Sequence, residues 1–187
     1  MKLLLVFPLF LWPVTAVAQT VTAADLEGAV VEARVTMDQQ IQRDGRQFGV
    51  QLVQQIRIAF LPENQIDWSV APISHTPRGA KPGPVRKGTT TLGKPRDTKF
   101  LGGGQAIWIF EDNTLTQLRT YAGAGGYKQV ITFSRQDQSI ACSIRATFVR
   151  EEGVGRVALR SSIDDVPVNV ISAKQVGASC RVALKKS

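Results

Sequence analysis

The sequence predicts an all-β fold: an antiparallel meander of about nine or ten strands that forms a barrel or a sandwich. Short segments rich in β-branched and aromatic residues recur along the chain, polar turn sequences separate them, and helical periodicity is almost absent. Because short hairpins join most neighbouring strands, the pattern favours a closed or nearly closed barrel, which has no exposed sheet edge.

The clearest strands lie in the middle of the chain. Four are predicted in succession, separated by the polar turn sequences EDNT, GAGG and QDQS. In the last of them apolar and polar side chains alternate, so one face is expected to be buried while the opposite face, which carries Arg145, contacts water. The four predicted strands are Gln105–Phe110, Leu115–Ala122, Tyr127–Arg135 and Ile140–Arg150, and the buried face of the fourth comprises Ile140, Cys142, Ile144, Ala146 and Phe148.

Three antiparallel strands are predicted before this central meander. Alternation of apolar and polar residues begins at Val31, reverses at an Asp-Gly turn at 44–45 and reverses again near Pro62. Helix is expected only as one short turn, for which Thr22 and Asp25 form a capping pair.

The end of the chain is also predicted to be β-structure. Strands are expected at Arg156–Ser161 and Val166–Val176. The small residues at 177–179 predict a break, after which Cys180 opens a short final strand.

Residues 1–18 have the pattern of a cleaved signal peptide. Lys2 precedes an apolar run that is too short to span a bilayer, and Ala16-Val17-Ala18 matches a signal-peptidase site. We therefore expect a mature chain of residues 19–187 that forms a single all-β domain, without a transmembrane segment, in the bacterial periplasm or secreted.

Cys142 and Cys180 are the two cysteines of the chain. An even number of cysteines in an exported protein predicts a disulfide. Two cysteines and the lone His75, without close spacing, are a poor set of metal ligands, so we expect neither a metal nor another cofactor.

Positive charge is concentrated in residues 72–104, called here the basic segment. The net charge of the full sequence is +8, and it falls to +7 when Lys2 is removed with the leader. The basic segment contains seven Lys and Arg residues and one acidic residue, Asp97, so its net charge is +6. Its prolines and glycines predict a long loop with little regular structure. Such a segment attracts anions, so we expect it to contact an anionic envelope surface, glycan or protein. We do not expect nucleic acid as the partner, because of the compartment rather than the charge. The predicted anion-contacting residues are Arg78, Lys81, Arg86, Lys87, Lys94, Arg96 and Lys99.

No catalytic arrangement stands out. Strands rather than helices follow the glycine clusters at 102–104 and 123–126, which therefore predict turns instead of phosphate loops. His75 has no carboxylate near it in sequence, and no nucleophile elbow is present. The adjacent carboxylate pairs, Glu111–Asp112, Glu151–Glu152 and Asp164–Asp165, fall in predicted turns.

Two classes of function remain open. The first is a non-enzymatic binding domain that contacts an anionic partner through the basic segment. The second is a small-ligand carrier or enzyme with a cavity inside the β-domain, lined by Trp68, Trp108 or Tyr121. A filled core around these aromatic residues favours the first class, because aromatic side chains in small β-domains commonly pack the interior.

Overall fold

The computed structural model describes residues 20–97, 104–121, 126–149, 159–163 and 166–184. Within these residues the chain forms two antiparallel β-sheets and one turn of 3-10 helix, Ala24–Leu26, so the predicted all-β class is confirmed. The strands in chain order are β1 (Val30–Arg43), β2 (Arg46–Leu61), β3 (Gln65–Thr76), β4 (Gly79–Pro82), β5 (Arg86–Thr91), β6 (Arg96–Asp97), β7 (Gly104–Glu111), β8 (Thr114–Tyr121), β9 (Gly126–Gln136), β10 (Ser139–Val149), β11 (Leu159–Ile163) and β12 (Val166–Ala183).

The larger sheet has the strand order β11-β12-β1-β2-β3-β4, and β5 pairs with β3 beside β4. The smaller sheet has the order β10-β9-β8-β7-β6. The four strands predicted in the middle of the chain are β7 to β10, and each agrees with the prediction to within one residue at either end.

Tight turns set the register of the hairpins. Asp44 and Gly45, with φ of 50° and 76°, join β1 to β2, and Asp112 and Asn113, with φ of 45° and 63°, join β7 to β8. Two consecutive residues of positive φ form the hairpin turn whose twist matches that of paired strands. Glycine, aspartate and asparagine tolerate this conformation best, which is why these sequences turn where they do.

One hydrophobic core lies between the two sheets. Ile58 of the larger sheet and Leu115 of the smaller sheet are fully buried in the same cluster. Phe60, Phe110 and Phe133 bring three rings together across the interface, with centroids 5.8 to 6.2 Å apart. The aromatic contacts add to the burial of apolar area that holds the layers together.

The two sheets meet closely where β10 runs beside β12. The predicted disulfide is confirmed: Cys142 of β10 is bonded to Cys180 of β12, with the two Cα atoms 5.5 Å apart. The Gln175 side chain adds two hydrogen bonds, because its Oε1 accepts from the Ala146 N–H at 2.7 Å and its Nε2 donates to the Ile144 carbonyl at 3.3 Å. One side chain thus takes the place of a backbone ladder pair at this junction.

The preference for a closed barrel was wrong. In the described residues neither sheet closes on itself, and the strand orders end at β11 and β4 in one sheet and at β10 and β6 in the other. The hairpins form two separate meanders, β1 to β4 and β7 to β10, because the chain crosses from one layer to the other after β5. The two open sheets enclose the larger of two buried clusters of the described chain, as in a β-sandwich.

Two local predictions also need correction. The basic segment is not mostly irregular, because β4 and β5 both pair with β3, and the short β6 pairs with β7. The predicted break at 177–179 is absent, since β12 runs unbroken to Ala183. A register shift between Thr36 and Met37 of β1 accommodates an extra residue of β12, so the ladder continues through Gly177 as a bulge.

The start of the described chain covers one end of the core. Val21 and Leu26 are buried in the cluster between the sheets. Thr22 and Asp25 form the predicted capping pair: the Thr22 N–H and hydroxyl both donate to Asp25 Oδ2, at 2.8 and 2.7 Å. The hydrogen bonds from Thr22 are the main cause that holds the pKa of Asp25 below its ordinary value. The nearby Arg135 guanidinium lowers this pKa further, to a smaller extent.

The predicted signal peptide, residues 1–18, lies outside the described residues. Among the helices of the described chain, none has the length and apolar character required to cross a membrane.

Removing the disulfide is expected to lower the stability strongly. Cys142 and Cys180 are 38 residues apart, and in the chain-entropy model a loop of that size contributes about 4 kcal/mol. Cys142→Ala/Cys180→Ala should therefore unfold at a lower denaturant midpoint than the oxidised protein. The oxidised protein should show no free thiol when titrated in denaturant. Two titratable thiols, or equal midpoints for the two proteins, would contradict the assignment.

The faces of β10 give a second test. Ile144 is buried between the sheets, whereas Arg145 is exposed. Ile144→Asp places a charge in the core and should cost more than about 3 kcal/mol of unfolding free energy, while Arg145→Asp should change it by about 0.5 kcal/mol or less. Urea denaturation measures both. Similar losses in the two variants would mean that both faces of the strand are covered.

Candidate anion-binding surface

The structure places most of the sequence-predicted cations along the β3 edge of the larger sheet, and one on β6 of the smaller sheet. Lys99 lies outside the described residues. The other six lie within them: Arg78 in the turn between β3 and β4, Lys81 on β4, Arg86 and Lys87 on β5, Lys94 after β5, and Arg96 on β6.

These cations do not form a single cluster. The register pairs Lys81 with Ser74 and Lys87 with Ser69, so the β4 and β5 lysines face points five residues apart on β3. At about 3.3 Å per residue this separation is about 17 Å. Arg78 and Lys81 therefore lie away from Lys87 along the sheet edge.

Arg86 and Arg96 are directed differently from Lys87. Arg86 pairs with the buried Val70, so it lies on the core-facing side of β5, and it is half-buried. The side chains of Arg96 and Trp68 both approach Gly88. A Cβ atom added to Gly88 would lie 3.0 Å from the Arg96 Nη1 and 3.5 Å from the Trp68 ring. Any larger residue at position 88 would therefore push the arginine or the indole aside.

Lys87 belongs instead to a polar row across the outer face of the larger sheet. The register places Glu32 opposite both Arg181 and Arg57, Arg57 opposite Ser69, and Ser69 opposite Lys87. Side chains in register on neighbouring strands share one face of a sheet, so the row runs across β12, β1, β2, β3 and β5.

Arg34 adds a fourth cation, beside the row that contains Arg181, Arg57 and Lys87. It lies opposite Gln55, which places it diagonally from Arg57 at a Cα separation of about 7–8 Å. Both arginines are exposed, and neither makes a side-chain hydrogen bond or an ion pair within the described part of the chain. The acidic Glu32 is already paired, because the Arg181 Nε donates to its Oε2 at 2.7 Å. Arg34 and Arg57 are thus available to an external anion.

The row borders a groove of about 480 Å³, a size within the range of ligand-binding sites. Three arginines and one glutamate give its lining a net charge of +2. Lys87, which is exposed and in register with the lining residue Ser69, raises the local charge to +3. We call this site the outer groove; its lining is Glu32, Ala33, Arg34, Gln55, Ile56, Arg57, Ser69, Ala71, Ser179, Cys180 and Arg181.

Arg34 and Arg57 were not singled out from the sequence, although a signal for them exists. The turn at 44–45 fixes the register of β1 with β2, because the strands continue antiparallel from Arg43 opposite Arg46. Counting back from that pair places Arg34 opposite Gln55. The nearness of these arginines to Lys87 requires the β3–β5 pairing as well, and no local pattern predicts that pairing.

The other sequence candidates do not assemble into a catalytic centre. His75 is exposed on β3, between Gln51 and Ala80 in the register. Glu111 and Asp112 are exposed at the β7–β8 turn, while the pairs at 151–152 and 164–165 lie outside the described residues. Strands follow both glycine clusters, as predicted, and each begins at the last glycine of its cluster; the other glycines lie outside the described residues. In the described chain no three His, Cys, Asp or Glu side chains are grouped so that they could hold a metal ion.

The aromatic residues proposed to line a cavity mostly pack on one another. Trp108 is 2 % exposed, and its ring centroid lies 6.2 Å from that of Trp68. The side chain of Tyr121 is outside the described part. The two tryptophans therefore contact each other in the core between the sheets.

Farther along the same interior the side chains are polar. Gln54 of the larger sheet faces Tyr127 and Gln129 of the smaller one. The Tyr127 hydroxyl and the Gln129 Nε2 both donate to Gln54 Oε1, each at 2.8 Å, and the Gln129 Nε2 also lies 3.0 Å from the Tyr127 hydroxyl. These bonds join the two layers at a place where apolar packing is interrupted.

Comparisons with known proteins add no relative to this description. No protein-family model matches the chain, and neither a curated protein nor a solved structure matches it. The functional argument therefore stands on the geometry and charge of the described residues.

Proposed function

We propose that this protein is an exported, non-enzymatic domain of the bacterial cell envelope that binds an anionic partner through the outer groove and the adjoining basic segment. The observation that carries the proposal is the alignment of Arg57, Ser69 and Lys87 across three strands, with Arg34 beside them. Exposed arginines without an internal acidic partner favour phosphate or carboxylate groups on the partner.

The rigidity of the sheet supports binding at this place. Arg34 and Arg57 project from paired strands in the middle of a sheet, so their backbones lose little freedom when an anion binds. Lys87 is two strands from Arg57, about 10 Å at the usual strand spacing. A surface of this width suits a partner with several negative charges better than a single small ion.

The disulfide supports export. Disulfides persist in oxidising compartments, and the bond between Cys142 and Cys180 agrees with the signal peptide expected at residues 1–18. In the envelope the anionic groups available are lipid head groups, acidic glycans and the acidic surfaces of other proteins. We assign the partner to these anionic groups because the outer groove is positively charged.

The alternative function is a carrier or enzyme that uses a cavity inside the domain. The packing of Trp108 on Trp68 weighs against the aromatic-lined form of this idea. The polar part of the interior provides a separate reason to consider a small ligand, which is treated in the next section.

Binding to anionic vesicles is the direct test. The protein should bind vesicles of phosphatidylglycerol and phosphatidylcholine at low salt but not vesicles of phosphatidylcholine alone, and the affinity should fall as salt rises from 0.01 to 0.15 M, since the screening length shrinks to about 8 Å. Arg57→Ser/Lys87→Ser should weaken binding by about 2 kcal/mol, about thirtyfold, at about 1 kcal/mol per cation near the surface.

The matched control removes two cations from the other end of the same strands. Arg43 and Arg46 flank the β1–β2 turn, and Arg46 is 11 residues from Arg57 on β2, about 36 Å at 3.3 Å per residue. Arg43→Ser/Arg46→Ser lowers the net charge equally and should change the affinity much less. Equal losses in the two variants, or no binding at low salt, would reject the outer groove as the binding surface.

A further inference from the structure

Arg119 is a buried arginine that has no partner among the described residues. It lies on the core-facing side of β8 with only 7 % of its surface exposed. Its Nε is buried and donates to no acceptor, and no ion pair or side-chain hydrogen bond of Arg119 occurs within the described ranges. A guanidinium stays protonated in proteins, and a buried charge is normally paired.

A second unused donor lies next to it. Gln117, two residues earlier on the same face of β8, is 2 % exposed, and the described part of the chain supplies no acceptor to its buried Nε2. The nearby polar side chains do not accept hydrogen bonds from these two donors. Gln54 Oε1 has two lone pairs and already accepts from Tyr127 and Gln129, so it is saturated. Two neighbouring buried donors therefore lack acceptors, and such groups are rarely left unsatisfied in proteins.

The residues around Arg119 and Gln117 indicate which kind of ligand would supply the missing hydrogen-bond acceptors. Arg119 lies opposite Ala106 and Tyr127, and Gln117 lies opposite the buried Trp108. Met37 Sδ is 3.4 Å from the Tyr127 hydroxyl, on the facing sheet. The site thus combines one positive charge and amide donors with apolar walls.

We propose that this polar end of the interior binds one small organic carboxylate, with Arg119 and Gln117 as its principal donors. A planar carboxylate accepts two parallel hydrogen bonds from a guanidinium, and its single charge balances the single charge of Arg119. A phosphate dianion would leave a second negative charge uncompensated inside the domain. The apolar walls fit the hydrocarbon part of the ligand.

The proposed site lies near one end of the smaller sheet. Arg119 is two residues before the end of β8, and its partner Ala106 is two residues after the start of β7. This interior site is separate from the outer groove, which lies on the opposite face of the larger sheet. The proposal of an interior carboxylate site therefore does not depend on the proposed function.

The test uses thermal unfolding of the full chain with sodium butyrate as the probe. Butyrate should raise the Tm in a saturable manner above an equal concentration of sodium chloride, and the neutral analogue butyramide should not. Arg119→Met should raise the apparent dissociation constant for butyrate at least about tenfold, since it removes charge-assisted hydrogen bonds. The control Arg145→Met, an exposed arginine of the same sheet, should leave the constant unchanged.

The Tm of the variants without butyrate separates a ligand site from an internal ion pair. If Arg119 is unpaired in the chain, Arg119→Met should keep or raise the Tm, because an apolar side chain replaces an uncompensated buried charge. A large fall in Tm, or failure to fold, would show that the chain itself pairs Arg119 and would overturn the proposal. Gln117→Leu gives a second measurement: it should fold and bind butyrate several-fold more weakly. Equal butyrate stabilisation of wild type, Arg119→Met and Gln117→Leu, or none in wild type, would also overturn it.

Discussion

The architecture depends on the junction where β10 of the smaller sheet meets β12 of the larger one. Neither sheet of the described chain closes on itself, so the layers are held by the shared core and by the contacts at their margins. At this junction the Cys142–Cys180 bond and the two hydrogen bonds of Gln175 replace a backbone ladder. Strand β12 also pairs with β1 along its length, and this ladder sets the relative positions of Arg181 and Glu32 in the outer groove.

Both candidate sites follow from the two-residue period of β-strands. On the outer face the alternation presents Arg34 and Arg57 to solvent, where an unpaired cation costs little because water solvates it. On the inner face of β8 the same alternation directs Arg119 into the interior, where an unpaired cation costs several kcal/mol. The first arrangement suits reversible contact with a charged surface, and the second suits a ligand that completes the interior.

Local sequence patterns predicted the local structure well. The turn residues at 44–45 and 112–113 and the alternation in β10 locate strands and hairpins, because each depends on residues near in sequence. The parity and compartment of the two cysteines predicted the disulfide. The layer to which each meander belongs, and the pairing of β5 with β3, depend on contacts between distant residues. The preference for a barrel over a sandwich and the irregular basic segment were therefore predicted wrongly. Arg119 was missed because β8 carries polar residues on both faces, and its alternation does not indicate which face is buried.

The central functional claim is that the outer groove, and not positive charge in general, contacts the anionic partner. Backbone amide shifts in a nuclear magnetic resonance titration of the isotope-labelled protein with short-chain polyphosphate test it most directly. The account predicts that the largest changes fall around Arg34, Arg57 and Lys87, with little change at the turn between Arg43 and Arg46. Changes spread evenly over all exposed cations, or largest at that turn, would contradict it.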